Sequence, residues 1–340
     1  MDFKDLAKAP RLLLEVELKP AIGNRFQPTG FADLGAAEYT LPDNTPMLLV
    51  ESAQSVANRL EKTCLDGDGP DIGGELKGLP YVVAKLSGSG DSLRTSSLVE
   101  AHRIGSPYFI LNKDFKAKVV AEMAYDPKRP LNWKKIYATL FRYDVNSLVH
   151  GVFLSLLEGG RVRAPRALTG FIEASGVKKA VSGGVKNSPV DPKGELQVAD
   201  SEAGEKGVYS NVPYARVEYV ADKIKAYFNV DLALIRGYGL PQDATDLLVN
   251  LALLKVRRFL DSQLRLRTAC DFLAGEVVGK VPTDFRLPDE SSLLGKVQEG
   301  IKACGDLFAN PPVTELDTPV KIVKAKEKDK GEQAAGAAMS

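Results

Sequence analysis

Residues 11–19 read RLLLEVELK, and no other run limits the possible folds as much. Leu12, Leu14, Val16 and Leu18 alternate with Glu15, Glu17 and Lys19. One face is therefore apolar and the other charged, at a period of two residues. That is a half-buried strand, closed by Pro20. Such a strand needs partner strands beside it and helices over its apolar face. The 340 residues are enough for one large domain or two ordinary ones, and 44% hydrophobic with 26% charged residues suits a packed, water-soluble core.

The rest of the chain alternates strand and helix signals. Residues 20–46 hold four prolines and three glycines, a long loop of the kind that often carries function. Residues 48–62 (LLVESAQSVANRLEK) carry an apolar stripe of Ala53, Val56, Ala57 and Leu60 at helical spacing. Ser52, Ser55 and Arg59 share another face of that helix, bordered by Asn58. Residues 66–78 are a glycine-rich turn region, and strand-like pieces are expected at 79–86 and 108–122. Helices are expected at 133–141 and at 145–157, the second apolar all round. Residues 166–174 read as a strand. Residues 175–207 are rich in glycine and lysine, cannot bury a core of their own and read as a protruding loop or irregular hairpin. Strands should resume at 212–220 and 230–236. A strong helix is expected from Asp243 to about Asp271 and a last one over 292–308. The expected organisation is one domain over residues 1–323, with a disordered lysine- and glutamate-rich tail at 324–340.

Several functions are disfavoured. Only two histidines occur, His102 and His150, which excludes an HExxH site. Cys64, Cys270 and Cys304 are widely spaced and make neither a disulfide framework nor a zinc knuckle. There is no GxxxxGK[ST] phosphate loop, no apolar run of 18 residues and no signal-peptide h-region at the start. The expected setting is the cytoplasm, with no membrane, metal or cofactor.

The net charge of +1 hides two basic segments: residues 161–188 sum to +5 and residues 252–268 to +4. Local concentration in a near-neutral chain suits a polyanion contact. Asn24 to Phe31 adds a guanidinium, an amide and two aromatics within eight residues, and Ser182 to Asn187 adds flexible backbone amides and a cation.

Longer strings carry a resemblance. NRFQPTGFADLGAAEYTLPD, followed by MLLVESAQSVANRLE, resembles the N-terminal signature of the backbone subunit of type I-U (I-G) CRISPR surveillance complexes, in the RAMP superfamily. SSLVEAHRIGSPYFI, RAPRALTGFIEASGVKKAVSGGVK and NVPYARVEYVADKIKAYFNVDLALIRGYGL fit that family in the same order, so the resemblance spans Leu13 to Phe272. It implies an α+β fold: a modified RRM-like, ferredoxin-like palm with helical and loop insertions, one of them a thumb at about 175–210. It implies a non-catalytic subunit that stacks head-to-tail with other copies along CRISPR guide RNA and presents the guide to target DNA. Other Cascade subunits, including a large subunit and an RNA-processing subunit, and a recruited helicase–nuclease are the further partners implied. The RNA-binding residues implied are Arg25 and Gln27 in the first loop, and Ser52, Ser55, Asn58 and Arg59 on the first helix. Arg161, Arg163 and Arg166 follow beside the groove, and Lys178, Lys179 and Lys186 on or near the thumb. Arg257 and Arg258 suit a surface facing a neighbouring subunit at least as well, and Phe26 suits the core better than RNA stacking.

Two other classes remain open at this level. A RAMP-type ribonuclease would draw on His102 or His150, or on Asp191 or Asp200 with a metal. A scaffold without nucleic acid would tolerate charge reversal at Arg161, Arg163 and Arg166.

Overall fold

The computed structural model describes residues 6, 8–31, 35–67, 69–88, 93–193, 211–262 and 264–321. The alternating run forms β1 (Leu12–Pro20), with its four apolar side chains buried. In chain order there follow β2 (Glu38–Thr40), β3 (Pro46–Glu51), α1 (Ala53–Lys62), β4 (Tyr81–Ser87), β5 (Leu93–Ser96), α2 (Lys113–Glu122), α3 (Trp133–Tyr143) and α4 (Val145–His150). The second half supplies β6 (Leu168–Ser175), β7 (Lys178–Asn187), β8 (Asn211–Val220), β9 (Lys223–Val230), α5 (Gln242–Asp261), β10 (Arg265–Arg267), β11 (Cys270–Val281), α6 (Glu290–Ala303) and β12 (Val313–Pro319).

β1 lies inside a seven-stranded sheet of order β10-β11-β1-β9-β6-β3-β2. It pairs antiparallel with β9 on one side (Leu12 opposite Val230) and with β11 on the other. β9 pairs antiparallel with β6 (Leu168 opposite Val230). Reading β1, β6, β9 and β11 as first to fourth, the order 4-1-3-2 with helices after the first and third strands is the βαββαβ arrangement. The protein is therefore α+β with an RRM-like palm. α5 packs on β9 and against α1, α4 and α6 over the apolar face of the sheet. A second sheet of order β12-β4-β5 joins the chain's later part to its earlier part, with β12 parallel to β4.

β6 and β9 run on into β7 and β8, which pair residue for residue from Lys178–Val220 to Asn187–Asn211. The stretch expected to be a loop or irregular hairpin is thus a regular two-stranded ribbon over these residues. Gly176 sits at its root with φ +65°, a conformation that favours glycine, and a Cβ there would crowd the Asp222 side chain.

Other expectations shift for local reasons. Residues 108–122 hold a short helix ending at Ile110 and then α2, whose start is capped where Asn112 Oδ1 accepts the Phe115 amide at 3.2 Å. The helix expected at 145–157 stops at His150, because Gly151 takes φ +79°, and Val152–Phe153 pairs with Arg163–Ala164. Residues 232–237 form a helix rather than a strand, capped by Asp231. α5 ends at Asp261, where Ser262 Oγ donates to the Phe259 carbonyl, and β10 and β11 follow. Residues 46–51 are a strand before α1 begins. The tail expected to be disordered and Asp200 lie outside the described residues.

A polar seam runs through the core between α1, α4 and α5. Arg103 grips Glu61 with two bonds, Nε to Oε1 at 2.6 Å and Nη2 to Oε2 at 2.8 Å. Asn146 Nδ2 donates to Glu61 Oε1 at 2.7 Å, and Lys255 Nζ donates to Asn146 Oδ1. Lys255 Nζ also lies 3.0 Å from His150 Nε2. Asp144 caps α4 through the amides of Asn146 and Ser147. Burial pushes the Asp144 carboxyl up to about 6. Burial, then Lys255, Arg103 and Arg166, holds the His150 imidazole well below 6.5, so it is neutral.

These two shifts oppose each other. A depressed histidine pKa costs stability as the pH falls below 6.5, since the unfolded chain then binds the extra proton. A raised aspartate pKa adds stability as the pH falls through about 6. His150→Gln is therefore expected to make the protein more stable at pH 5.5 than at pH 7.5, whereas the wild type gains less or loses, as urea midpoints at the two pH values will measure.

Candidate nucleic-acid interface

α1 organises the surface because its flanks face different ways. Val56, Ala57 and Leu60 point into the core. Gln54, Asn58 and Lys62, four residues apart, line a cleft of about 1030 Å³. The opposite wall holds Arg163 and Arg166, and the floor includes Glu61, Arg103 and His150. Arg163 lays its guanidinium 5.2 Å from the centre of the Phe153 ring. Arg166 donates to Gln54 Oε1 across the cleft.

The other flank grips a carboxylate. Glu51, at the end of β3, is fully buried. Arg59 Nε reaches its Oε1 at 2.8 Å, Ser55 Oγ donates to the same oxygen, and Arg267 pairs with Oε2. Arg267 Nη1 also donates to the carbonyls of Gln27 (2.9 Å) and Val50 (3.2 Å). Arg59 donates to the Leu266 carbonyl, and Ser52 Oγ caps α1 by accepting the Ser55 amide at 3.2 Å. Two cations around one buried carboxylate thus tie β3, α1, β10 and the 25–29 loop together.

Beyond this junction lies a second cleft of about 720 Å³, lined by Gln27, Thr29, Lys179, Tyr219 and Arg267 among others. Glu38 there accepts from Tyr219 Oη (2.5 Å) and pairs with Lys179 (2.9 Å), and these contacts hold its carboxyl below the usual range. Gln27 Oε1 is buried with no hydrogen-bond partner among the described residues.

The residues singled out in the sequence therefore fall into groups. Asn58, Arg163 and Arg166 share the first cleft, and Gln27 and Lys179 the second. Ser52, Ser55 and Arg59 belong to the junction between them. Arg25 pairs with Glu218 at 3.3 Å at the root of the ribbon, whose strand β7 carries Lys178 and Lys186 exposed. Arg161 stands apart from both clefts, donating to the carbonyls of Pro127 (2.8 Å) and Arg129 (2.9 Å). Phe26 is buried and packs edge-on against Phe272. Arg257 and Arg258 are half-buried, bonded to Pro288, Leu287 and Asp261 and to Glu290, Thr63 and Glu75 respectively. The sequence reading missed Gln54, Lys62, Arg103 and Arg267. Gln54 and Lys62 were accessible from the four-residue spacing to Asn58. Arg267 lies in the basic segment 252–268 and Arg103 in a family-like string, but neither signal points to its buried carboxylate partner.

No group of three or more potential metal ligands occurs among the described residues, and no helix there is long and apolar enough to cross a membrane.

An RRM-like palm whose second and third strands extend into a ribbon, with cations beside its first helix, defines the class. Residues 12–179 match the model described as CRISPR-associated protein GSU0053. No curated protein matches it. Among solved structures it is similar to a chain of a CRISPR RNA-guided surveillance complex described as pre-nicking, at 13% identity, covering 78% of this chain and 77% of that one with a TM-score of 0.38. Csc2 of Thermofilum pendens is similar at 9% identity, 89% and 80% coverage and a TM-score of 0.31. A further CRISPR RNA-guided surveillance complex chain shows 13% identity, 87% and 88% coverage and a TM-score of 0.29.

Removing the buried carboxylate leaves Arg59 and Arg267 facing each other without a counter-charge. Glu51→Ala is expected to destabilise the fold by roughly 3–5 kcal/mol, read as a lowered urea midpoint.

Proposed function

We propose that this protein is a non-catalytic, guide-RNA-binding backbone subunit of a type I CRISPR surveillance complex, which polymerises head-to-tail along the guide and presents it to target DNA. The observation that carries this function is the first cleft. Asn58, Arg163 and Arg166, singled out from sequence, share it with Lys62 and Arg103. Cations, an amide and the start of a helix beside an open cleft suit phosphate contacts, which hold RNA in register without reading its bases. A guide of variable sequence requires that kind of grip. The second cleft, with Gln27 and Lys179, offers a continuation of the path past the Glu51 junction. The ribbon takes the part of the thumb, its exposed Val181 and Val185 suited to interrupting a strand laid beside it. Head-to-tail assembly is a heterologous, non-closing contact, so length is set by the RNA and not by the protein.

Both histidines line the first cleft, which is the one observation that favours a ribonuclease instead. His150 is fully buried and faces Lys255, a setting better suited to a fixed hydrogen bond than to proton shuttling.

Co-expression with a repeat–spacer array tests the proposal. Purified protein is expected to carry protected CRISPR RNA that digests to a regular ladder, and RNA cut at a defined position by the protein alone would favour the ribonuclease. Arg163→Glu with Arg166→Glu is expected to abolish the bound RNA while the melting temperature holds. Lys62→Ala should lower the slope of log affinity against log salt by about 0.7, the value of one single-strand phosphate contact.

A further inference from the structure

The floor of the first cleft carries charge and hydrogen-bonding capacity that the protein itself does not use up. Arg103, Arg166 and Glu61 line it, with Lys255 and Asp144 buried behind, so three cations act near His150 against two carboxylates. Both oxygens of Glu61 are held by Arg103, and Asp144 is held by the start of α4. Lys255 is 1% exposed and meets no carboxylate within ion-pair distance among the described residues. His150 is fully buried, lines the cleft, and has Nε2 at 3.0 Å from the Lys255 ammonium. An ammonium can only donate, so Nε2 must accept and the ring proton of a neutral imidazole must sit on Nδ1. That Nδ1 is buried with no partner among the described residues. An unmatched buried donor among surplus cations calls for an acceptor that is also an anion.

The surrounding backbone keeps this arrangement rigid. His150 is the last residue of α4, and Gly151 takes φ +79° directly after it. A Cβ on Gly151 would lie 3.0 Å from the Ala164 carbonyl oxygen and 3.0 Å from Arg166 Cγ. The end of α4 is thus pressed onto the 164–166 segment, which keeps His150 and Arg166 on the same side of the cleft. The volume of about 1030 Å³ is far more than one phosphate needs and admits a sugar and base as well.

We infer that this cleft is a pocket for one nucleotide unit, whose phosphate oxygen accepts from His150 Nδ1–H, with Lys255 as the residue that fixes the imidazole tautomer. The pocket rests on the RNA-binding function proposed above, because the unit it takes is one link of the bound strand. A free nucleoside monophosphate would offer the same chemistry.

The chain has two histidines, so imidazole nitrogen NMR on the full-length protein reads the site directly. The spectrum of His102→Gln assigns the two rings. An RNA oligonucleotide and adenosine monophosphate are titrated separately into labelled protein, with anisotropy reporting RNA affinity. The expected result is that RNA shifts the His150 Nδ1 resonance while its proton stays on Nδ1. His150→Phe should then weaken RNA binding roughly tenfold, the loss expected for one charge-assisted hydrogen bond. Lys255→Met should leave the fold intact and return the imidazole to a mixture of tautomers. Bound RNA with His150 unmoved would overturn the pocket and leave the RNA-binding function standing. A His150 shift with adenosine monophosphate but no RNA binding would support the pocket, with a free nucleotide as its ligand, and overturn the RNA-binding function. No response to either would overturn both. The wild-type titration decides these cases even if His150→Phe fails to fold.

Discussion

The ion cluster at Glu51 is the interaction on which the surface depends. A carboxylate removed from water is tolerable only when it is paired, and here two guanidiniums and a hydroxyl surround it. The partners come from two elements distant in sequence: Arg59 and Ser55 from α1, Arg267 from β10. Arg267 then reaches the backbone of the 25–29 loop and of β3. These bonds add to the backbone contacts of Phe26, Gln27 and Thr29 in fixing the first loop to the palm.

The core beneath α1 follows a related rule. Glu61, Arg103, Asn146, Lys255 and His150 form a chain of contacts deep in the protein. Hydrophobic residues of similar volume would often be as stable in such positions. Polar groups kept there at some cost tie α1, α4 and α5 into one register and bring charge to the base of a cleft. Arg103 sits at φ 51°, a conformation uncommon outside glycine, and its three bonds to Glu61 and the Gly151 carbonyl hold it there.

What the sequence disclosed follows the range of the signal. The strand at 12–19 is legible because one face is core and the other is not, and α1 and α3 are legible from their apolar stripes. The strands at 270–281 and 313–319 were not foreseen, since their burial is irregular and their partners lie far away in sequence. The helix expected to run to Asp271 overshot because the chain turns at Leu264, which takes φ +36°, and Leu266 is then buried between Arg265 and Arg267 in a strand. The same holds for the surface. Asn58, Arg163 and Arg166 were accessible from helix spacing, charge clustering and family motifs together. Glu51 was not, because an isolated glutamate says nothing about two arginines that approach it from distant parts of the chain. His150 is buried, and its unmatched nitrogen becomes visible only with its neighbours in place.

The parallel pairing of β12 with β4 has a bearing on how the protein is made. Lys85 and Glu315, joined at 2.7 Å across these strands, are 230 residues apart in sequence. At roughly 5–20 residues per second a ribosome needs on the order of 10–50 s to deliver β12 after β4 has emerged. Throughout that interval β4 presents an apolar strand, Tyr81 to Ala84, with one edge unpaired. The nascent chain therefore passes through a stage in which the open edge of β4 waits for β12.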